Sequence, residues 1–201
     1  MEKTNKGFIK PYHDVEVLNQ QDLTKSVRID KSPIPHFKKE ELNILLAAIK
    51  KPTHQMLMQF LWRTGVRVTE SISIQKSDLD FDNKEITIRW LKKRKALYRI
   101  IPMHKSLVYP LSVFVDKLKH DNLVFAISRQ RVDQLCKKYN LNHAHKIRHS
   151  FSINFLRQST TPMALLVLKE LLGHSRIETT MIYLKVVPMN MKVAMENINF
   201  D

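Results

Sequence analysis

Cysteine is almost absent from this chain of 201 residues. Cys136 stands alone, which excludes a disulfide framework and a zinc site built on several thiolates. No apolar run approaches the ~20 residues that span a membrane. Residues 1–10 are polar and lack the apolar core of a signal peptide. We therefore expect a cytoplasmic protein.

Acidic residues are also scarce. Asp and Glu number 19 against 34 Lys and Arg, so the formal net charge is +15 and the pI is near 9.9. Such an excess favours a polyanionic partner, nucleic acid first and an anionic membrane second. The missing apolar span argues against the membrane, and DNA or RNA remains.

Glycine is the third scarce residue, with only three in the chain. Gly65 and Gly173 each lie within two positions of a basic residue, in Thr64-Gly65-Val66-Arg67 and Leu172-Gly173-His174. A rare glycine usually marks a backbone position that other residues adopt poorly. Both stretches are therefore candidates for a functional site.

The hydrophobic periodicity predicts a mainly α domain with one small antiparallel β-sheet, an α+β fold. Residues 1–35 are interpreted as an N-terminal arm or linker, 36–187 as the folded domain and 188–201 as a C-terminal tail helix. The expected helix starts are N-caps at Thr53, Asn142 and Ser175 and first turns at Pro110 and Pro162, and the expected helix ends are Gly65 and Gly173. The expected hairpin carries Lys92-Lys93-Arg94-Lys95 at its tip and ends at Pro102.

Three side chains share one face of the helix predicted to begin near His143. His145, Arg148 and His149 stand at i, i+3 and i+4, a spacing that brings them together on a helix surface. Arginine presents a planar fork that matches two phosphate oxygens, and a neutral histidine accepts a proton from a hydroxyl. The plain alternative is a solvated basic face opposite an apolar one.

Tyr183 follows His174 by nine residues and can return to the same pocket along a short helix. Most single tyrosines are core or surface residues, and a phenol of pKa about 10 is a weak nucleophile unless its surroundings favour the phenolate. Nearby arginines would favour it and would stabilise a phosphorane-like transition state. Arg67 alone would be an ordinary surface arginine, and gains importance through these neighbours.

Two further groups of residues, the hairpin lysines and four histidines, each allow more than one interpretation. The hairpin lysines could be a solvated turn or a general clamp on a nucleic-acid backbone, or one of them could protonate a leaving oxygen. The histidines His143, His145, His149 and His174 could form a zinc cluster, which the lack of nearby cysteine and carboxylate ligands disfavours.

Taken together, these motifs resemble the catalytic domain of the tyrosine recombinases, the phage-integrase family. The resemblance covers about 37–187. The matching pieces are Thr64-Gly65-Val66-Arg67-Val68-Thr69-Glu70, the lysine hairpin ending in Ile101-Pro102, His145-Lys146-Ile147-Arg148-His149, and Leu172-Gly173-His174-Ser175-Arg176-Ile177-Glu178-Thr179-Thr180-Met181-Ile182-Tyr183. Each piece alone is a weak signal, but four in the same order are a strong one.

The resemblance implies a site-specific DNA recombinase that needs no metal or other cofactor. Arg67 and Arg148 would clamp the scissile phosphate, His174 would hydrogen-bond it, and Tyr183 would form a 3′-phosphotyrosine link. His145 would act as the general base.

The same resemblance gives supporting roles. Glu70 would brace the region of Arg67. A hairpin lysine would be the general acid, Lys92 first, with Lys93 and Lys95 as alternatives. The basic faces expected on DNA are Lys92, Lys93, Arg94, Lys95, Arg129, Arg131, Lys137 and Lys138.

Family members work on double-stranded DNA as tetramers, and the tail 188–201 fits a helix that docks on a neighbouring protomer. The resemblance also implies a nucleoid-associated protein of prokaryotic, viral or mobile-element origin. The chain departs from its relatives in a longer hairpin without glycine and in having only about 35 residues before the catalytic region. It is either a short recombinase or part of a longer chain.

Two other functions share these features. A type IB topoisomerase uses the same chemistry without pairing two sites, and a DNA-binding regulator would need no chemistry. The presence of the whole set of basic and nucleophilic residues favours the recombinase.

Overall fold

The computed structural model describes residues 34–92, 95–161, 163–187 and 195, with the backbone alone at 91, 92, 95 and 96. Almost all of the predicted arm and tail helix, together with Lys93, Arg94, Pro162 and Pro188, lie outside the described residues. Within those residues the architecture is mostly helical with one small antiparallel sheet, so the predicted fold class is confirmed. No described helix is long and apolar enough to cross a membrane.

The first three helices bring the N-terminal half of the site into place. They are α1 (Lys39–Ala47), α2 (Pro52–Thr64) and α3 (Val68–Ser71). Gly65 ends α2 with φ +64°, in the left-handed region that glycine adopts without strain. The sharp end of α2 leaves Arg67 as the N-cap of α3.

The sheet follows a 3₁₀ turn at Lys76–Asp78 and contains β1 (Leu79–Asp80), β2 (Glu85–Lys92) and β3 (Lys95–Pro102) in the order β1-β2-β3. Both pairs are antiparallel, and the predicted hairpin ending at Pro102 is confirmed. Ile88 pairs with Arg99, so these two side chains share a face of the sheet. That face is buried at Ile86, Ile88 and Ile101.

The C-terminal half is helical. It comprises α4 (Lys105–Val115), α5 (Arg129–Lys138), α6 (Ala144–Gln158), α7 (Ala164–Leu172), α8 (Glu178–Met181) and a 3₁₀ turn at Ile182–Lys185. Gly173 ends α7 with φ +63°, as its position predicts. α6 packs against both α2 and α7, so it contacts both helices that end in glycine.

Four predicted helix starts are wrong, because the helices begin at other residues. Pro52 itself occupies the first turn of α2, so Thr53 lies inside the helix. Ser175 caps nothing, because α8 begins only at Glu178.

The other two starts are displaced by histidine caps. The His104 imidazole accepts the Ser106 N–H at 3.2 Å, so α4 begins earlier and contains Pro110. The His143 imidazole accepts the Lys146 N–H at 3.1 Å, whereas Asn142 is left-handed with φ +61°.

Buried side chains form two clusters. The larger joins α1, α2, the sheet, α4, α5 and the start of α6. The smaller contains Ile153, Leu168, Leu172 and Tyr183. Tyr183 is thus held by packing between α6 and α7, with 2% of its surface exposed.

Gly65→Ala is expected to lower the free energy of unfolding by about 3 kcal/mol, or about 10 °C in Tm for a chain of this length. A Cβ at this position would overlap the ring of Phe151 and would sit on a left-handed backbone. Chemical denaturation of both proteins measures the loss. Asn140→Ala is the control, since Asn140 is exposed, is also left-handed and already carries a Cβ. An equal loss in the two variants would contradict the role of the Phe151 contact.

Candidate active site

Helix α6 places the three side chains of the predicted cluster at different depths. Arg148 is 3% exposed, His149 is half-buried and His145 is exposed. Arg148 and His145 line the same cleft, Arg148 from a buried position and His145 from an exposed one.

Arg148 is held by the ends of two helices. Its Nη1 donates to the Gly65 carbonyl at 2.6 Å and its Nη2 to the Leu172 carbonyl at 2.8 Å. Both acceptors lie at helix C-termini, where backbone dipoles favour positive charge. Burial lowers the pKa of Arg148 to about 10, with the charge of Arg67 adding to the effect. The guanidinium therefore remains charged at neutral pH.

His174 lies against this guanidinium. Its Nε2 is 3.1 Å from Arg148 Nη2, and its Nδ1 is 2.9 Å from Thr180 Oγ1. Since arginine only donates, Nε2 is the acceptor and Nδ1 carries the proton. Burial, followed by the charges of Arg148 and Arg67, lowers the pKa of His174 to about 4. His174 is therefore a neutral imidazole at pH 7.

Arg67 reaches the same point from α3. Its side chain is 43% exposed, and its Nη1 donates to Glu70 Oε1 at 3.1 Å and to the Leu172 carbonyl at 3.4 Å. Glu70 Oε2 accepts the Arg67 backbone N–H at 2.7 Å. The structure thus brings Arg67, Arg148 and His174 together around one helix terminus, with Glu70 behind Arg67.

Arg99 completes this network, and the sequence interpretation missed it. Its Nη1 and Nη2 donate to the two Glu70 oxygens at 3.0 Å each, and its Nε donates to the Leu171 carbonyl at 3.2 Å. Its guanidinium carbon lies 5.4 Å from the centre of the Trp90 ring. The available signal was an arginine two residues before the buried Ile101, on the inner face of a strand.

Arg99 ties the lysine hairpin to the site. Burial by itself raises the pKa of Glu70, but hydrogen bonds from Arg99 and the Arg67 backbone, with both positive charges, outweigh it and hold that pKa below its ordinary 4.5. Glu70 therefore stays ionised and anchors β3 and α3 together.

Arg99→Met is expected to lower the free energy of unfolding by about 3 kcal/mol at pH 7, because a buried carboxylate loses its main partner. At pH values above its ordinary pKa of 4.5, ionised Glu70 stabilises the wild type. This stabilisation is lost as the pH falls through the lower pKa that Glu70 has in the folded protein. The difference between the two proteins should therefore shrink between about pH 5 and pH 3. Urea titrations across this range test the expectation, and the double variant Arg99→Met with Glu70→Met is the control that removes both charges. A difference that does not change with pH would contradict the role of Glu70.

A cleft of about 310 Å³ opens beside Arg148, lined by Val66, Arg67, Val68, Thr69, Arg129, Asp133, His143, Ala144 and His145. Although the residue is exposed, partial desolvation of its ring, followed by the charge of Arg148, lowers the pKa of His145. With the three guanidinium groups of Arg67, Arg129 and Arg148 at its wall, this cleft suits a phosphodiester.

Tyr183 is buried and is not among the residues that line this cleft. Its hydroxyl is 3.1 Å from His149 Nδ1, and the two rings meet edge to face at 5.7 Å. The structure thus places the predicted nucleophile one hydrogen bond from the helix that carries Arg148.

The remaining predicted residues lie outside this hydrogen-bonded network. Lys92 and Lys95 face each other at the end of the hairpin, and the lysine assignment stays a prediction. Arg129, Arg131, Lys137 and Lys138 are exposed on α5. Within the described part of the chain no three His, Cys, Asp or Glu side chains lie together as metal ligands, so the four histidines of the zinc alternative are not gathered into one site.

The chain is similar to known proteins in sequence and in fold. Residues 35–189 match the profile of the Phage integrase family. The tyrosine recombinase XerA of Pyrococcus horikoshii is 26% identical over 205 residues, which cover 94% of this chain and 70% of XerA.

Solved structures show the same fold. The catalytic domain of the bacteriophage HP1 integrase superposes with a TM-score of 0.64 at 23% identity, covering 82% of this chain and 95% of that domain. The XerH site-specific recombinase, bound to its difH substrate after cleavage, gives 0.60 at 22% identity, covering 82% of this chain and 54% of XerH. The chain thus spans about half the length of that recombinase.

The sequence match and the shared fold lead to one conclusion. The chain belongs to the phage integrase family, and its enzyme class is that of the tyrosine recombinases.

Proposed function

We propose that this protein is a site-specific recombinase that cuts and rejoins double-stranded DNA through a covalent 3′-phosphotyrosine at Tyr183. One observation carries the proposal: Arg67 and Arg148 both donate to the Leu172 carbonyl, and His174 contacts Arg148. The Tyr183 hydroxyl is hydrogen-bonded to His149 on α6, the helix that carries Arg148. A phosphate between two guanidinium groups beside a phenol is the arrangement that transesterification requires.

The proposed reaction exchanges one phosphate ester for another. Arg67 and Arg148 hold the phosphate oxygens. His174 donates to the phosphate beside Arg148 once Nε2 carries a proton, a form that the negative charge of the phosphate favours. The Tyr183 oxygen attacks phosphorus, its proton passes to His145 as the general base that the resemblance implies, and the bond to the 5′-oxygen breaks. A hairpin lysine, Lys92 first, gives that oxygen its proton. Attack by a free 5′-hydroxyl reverses the step and releases Tyr183.

DNA is the proposed partner, and the XerH structure is of a related fold with DNA bound. We further propose that four copies assemble on two DNA sites and that the tail 188–201 docks on a neighbour. The basic faces predicted for DNA contact would then follow the backbone, with no sequence readout of their own.

DNA binding is expected to weaken steeply with salt, because each phosphate contact releases counterions. Lys137→Gln with Lys138→Gln should reduce the slope of log K against log salt by about 2, at about 0.9 per contact. Fluorescence anisotropy between 50 and 300 mM salt on one duplex gives the slope. Lys117→Gln with Lys119→Gln is the control, since both lysines are exposed but lie outside the proposed faces. Equal slopes in all three proteins would remove Lys137 and Lys138 from the interface.

A covalent trap tests the proposal as a whole. The protein is incubated with DNA from its own genomic neighbourhood, nicked so that the cut fragment diffuses away. A denaturing gel should then show a protein–DNA adduct, and peptide mapping should place the link on Tyr183. Binding without an adduct would favour the regulator. Relaxation of supercoiled DNA without strand exchange between two sites would favour the topoisomerase.

A further inference from the structure

A second cavity, which the proposed function does not use, is formed by α2, α4, α5 and the segment that joins α4 to α5. Its volume is about 530 Å³, within the range of cavities that hold small organic ligands. Its lining shares no residue with the cleft beside Arg148. The cavity is therefore a separate place on the molecule, and its own side chains indicate what it holds.

Most of the cavity wall is apolar. Such a wall gains free energy when it is covered by hydrocarbon instead of water. The part of a ligand that contacts this wall is therefore apolar. The buried and half-buried side chains of the wall are Leu57, Val124, Phe125, Phe114, Leu118 and Ile127.

The titratable side chains of the lining are all basic. Among the described residues, Lys51, His54 and Arg131 line the cavity and no Asp or Glu does. Lys51 and Arg131 are exposed, whereas His54 is only 8% exposed. Positive charge without a neighbouring carboxylate favours an anionic group on the ligand.

Helix α2 begins at this cavity without a cap. Within the described residues no side chain caps this end by a hydrogen bond, and the first turn holds no acidic residue. Pro52 has no N–H, and the Gln55 N–H donates to the Lys51 carbonyl at 2.9 Å. The N–H groups of Thr53 and His54 form no hydrogen bond in the described part of the chain. A helix start with free N–H groups attracts an anion.

His54 adds a buried polar atom that has no partner. Its Nδ1 lies 2.8 Å from the Tyr139 hydroxyl oxygen, and its Nε2 forms no hydrogen bond to any described residue. Buried polar atoms normally have a partner. With the Tyr139 hydroxyl donating to Nδ1, Nε2 carries the proton and can donate to a carboxylate oxygen.

The charges around His54 all have one sign. Burial, followed by the positive charges of Lys51 and Arg131, lowers the pKa of His54, and Lys138 acts in the same direction. The ring is therefore neutral at pH 7, among three cations. An anion placed beside the ring would offset these charges.

We propose that this cavity binds a carboxylate anion that carries an aliphatic chain, of the size of a medium-chain fatty acid. The carboxylate accepts hydrogen bonds from the N–H groups at the start of α2 and from His54 Nε2, and it pairs with Lys51 and Arg131. The chain packs on the apolar wall. Binding is non-covalent and is independent of the proposed recombination reaction.

Octanoate is the probe, and isothermal titration calorimetry with the full chain near neutral pH measures its affinity. Octanol has a chain of the same length without the charge, and it should bind about tenfold more weakly because the charge-assisted hydrogen bonds are lost. Acetate lacks the chain and should bind at least about 100-fold more weakly. Equal affinities for octanoate and octanol, or for octanoate and acetate, would overturn the assignment.

Two variants test whether octanoate binds in this cavity. Ala126→Trp places a large ring at an exposed position of the lining, so it should fill the cavity and weaken octanoate binding at least about tenfold. Lys51→Met with Arg131→Met should weaken octanoate about fivefold and leave octanol unchanged. Lys50→Met with Lys137→Met is the matched control, since both lysines are exposed and neither lines the cavity.

The His54 ring reports on the carboxylate itself. Octanoate should raise the pKa of His54, as measured by NMR titration of the imidazole signals with and without the probe. His54→Gln identifies its signal among the nine histidines. A His54 pKa that octanoate leaves unchanged would show that the anion does not bind beside this ring.

The outcomes are separate from those of the recombinase proposal. Wild-type octanoate affinity in Ala126→Trp, or in the variant without Lys51 and Arg131, would overturn this site and leave the reaction at Tyr183 standing. If the latter variant changed DNA binding alone, these charges would serve DNA and the assignment would be wrong. A failed covalent trap would leave the octanoate result untouched.

Discussion

Tyr183→Phe is expected to abolish strand cleavage, with a loss of at least about 10⁴-fold, because the phenolic oxygen is the atom that bonds to phosphorus. The phenylalanine ring fills the same space in the core between α6 and α7, so packing is kept. Only the 3.1 Å hydrogen bond to His149 is lost, which costs about 1 kcal/mol of stability. Affinity for DNA should change by less than about threefold, since Arg67 and Arg148 are untouched.

Tyr139→Phe is the matched control. The Tyr139 hydroxyl is likewise hydrogen-bonded to a histidine, at 2.8 Å from His54 Nδ1, in a half-buried position outside the site. Both variants lose one tyrosine–histidine contact, but only Tyr183→Phe removes the proposed nucleophile. Cleavage by Tyr183→Phe, or a collapse of its DNA binding, would show that Tyr183 has a structural role instead.

Tyr183 and its partner His149 show what the sequence can and cannot predict. Tyr183 was identifiable because it ends an ordered motif with Gly173 and His174. Its partner His149 was visible on the helix face, but its contact depends on how α6 packs against the chain after α7. Spacing along one helix reports which side chains share a face and does not report what faces them.

Some helix ends could be predicted from the sequence, and others could not. Gly65 and Gly173 were predictable because a left-handed backbone selects glycine. The histidine caps at His104 and His143 were not, since Pro110 and Asn142 offered stronger local signals nearby. Where two residues compete for a cap, the packing of the helix decides between them, and packing is absent from a local pattern.

Arg99 is the residue of the site that the sequence pattern could not identify. A strand position on the inner face normally carries an apolar residue, and the charge at Arg99 makes sense only with Glu70 beside it. These two residues lie 29 positions apart in the chain. Glu70 was predicted as a brace for Arg67, but its bidentate partner comes from the hairpin and required the folded sheet.

Arg148→Lys is expected to remove both activity and stability. Lysine keeps the charge but lacks the planar fork, so it cannot bridge the Gly65 and Leu172 carbonyls at 2.6 and 2.8 Å and also present a donor to phosphate. At least one buried carbonyl then loses its partner, which costs about 1–3 kcal/mol. Cleavage should fall by about 10³-fold, in line with the loss of one transition-state donor.

Arg67→Lys is the matched comparison, because the chemical change is the same at a side chain that is 43% exposed. Its cleavage rate should fall by about 10²-fold, while its Tm stays within about 2 °C of the wild type. Calorimetry and single-turnover cleavage of the two variants measure both effects. If both substitutions lowered Tm equally, Arg148 would not be the link between the two helix ends. The stability difference therefore tests whether one guanidinium both binds the phosphate and joins α2 to α7.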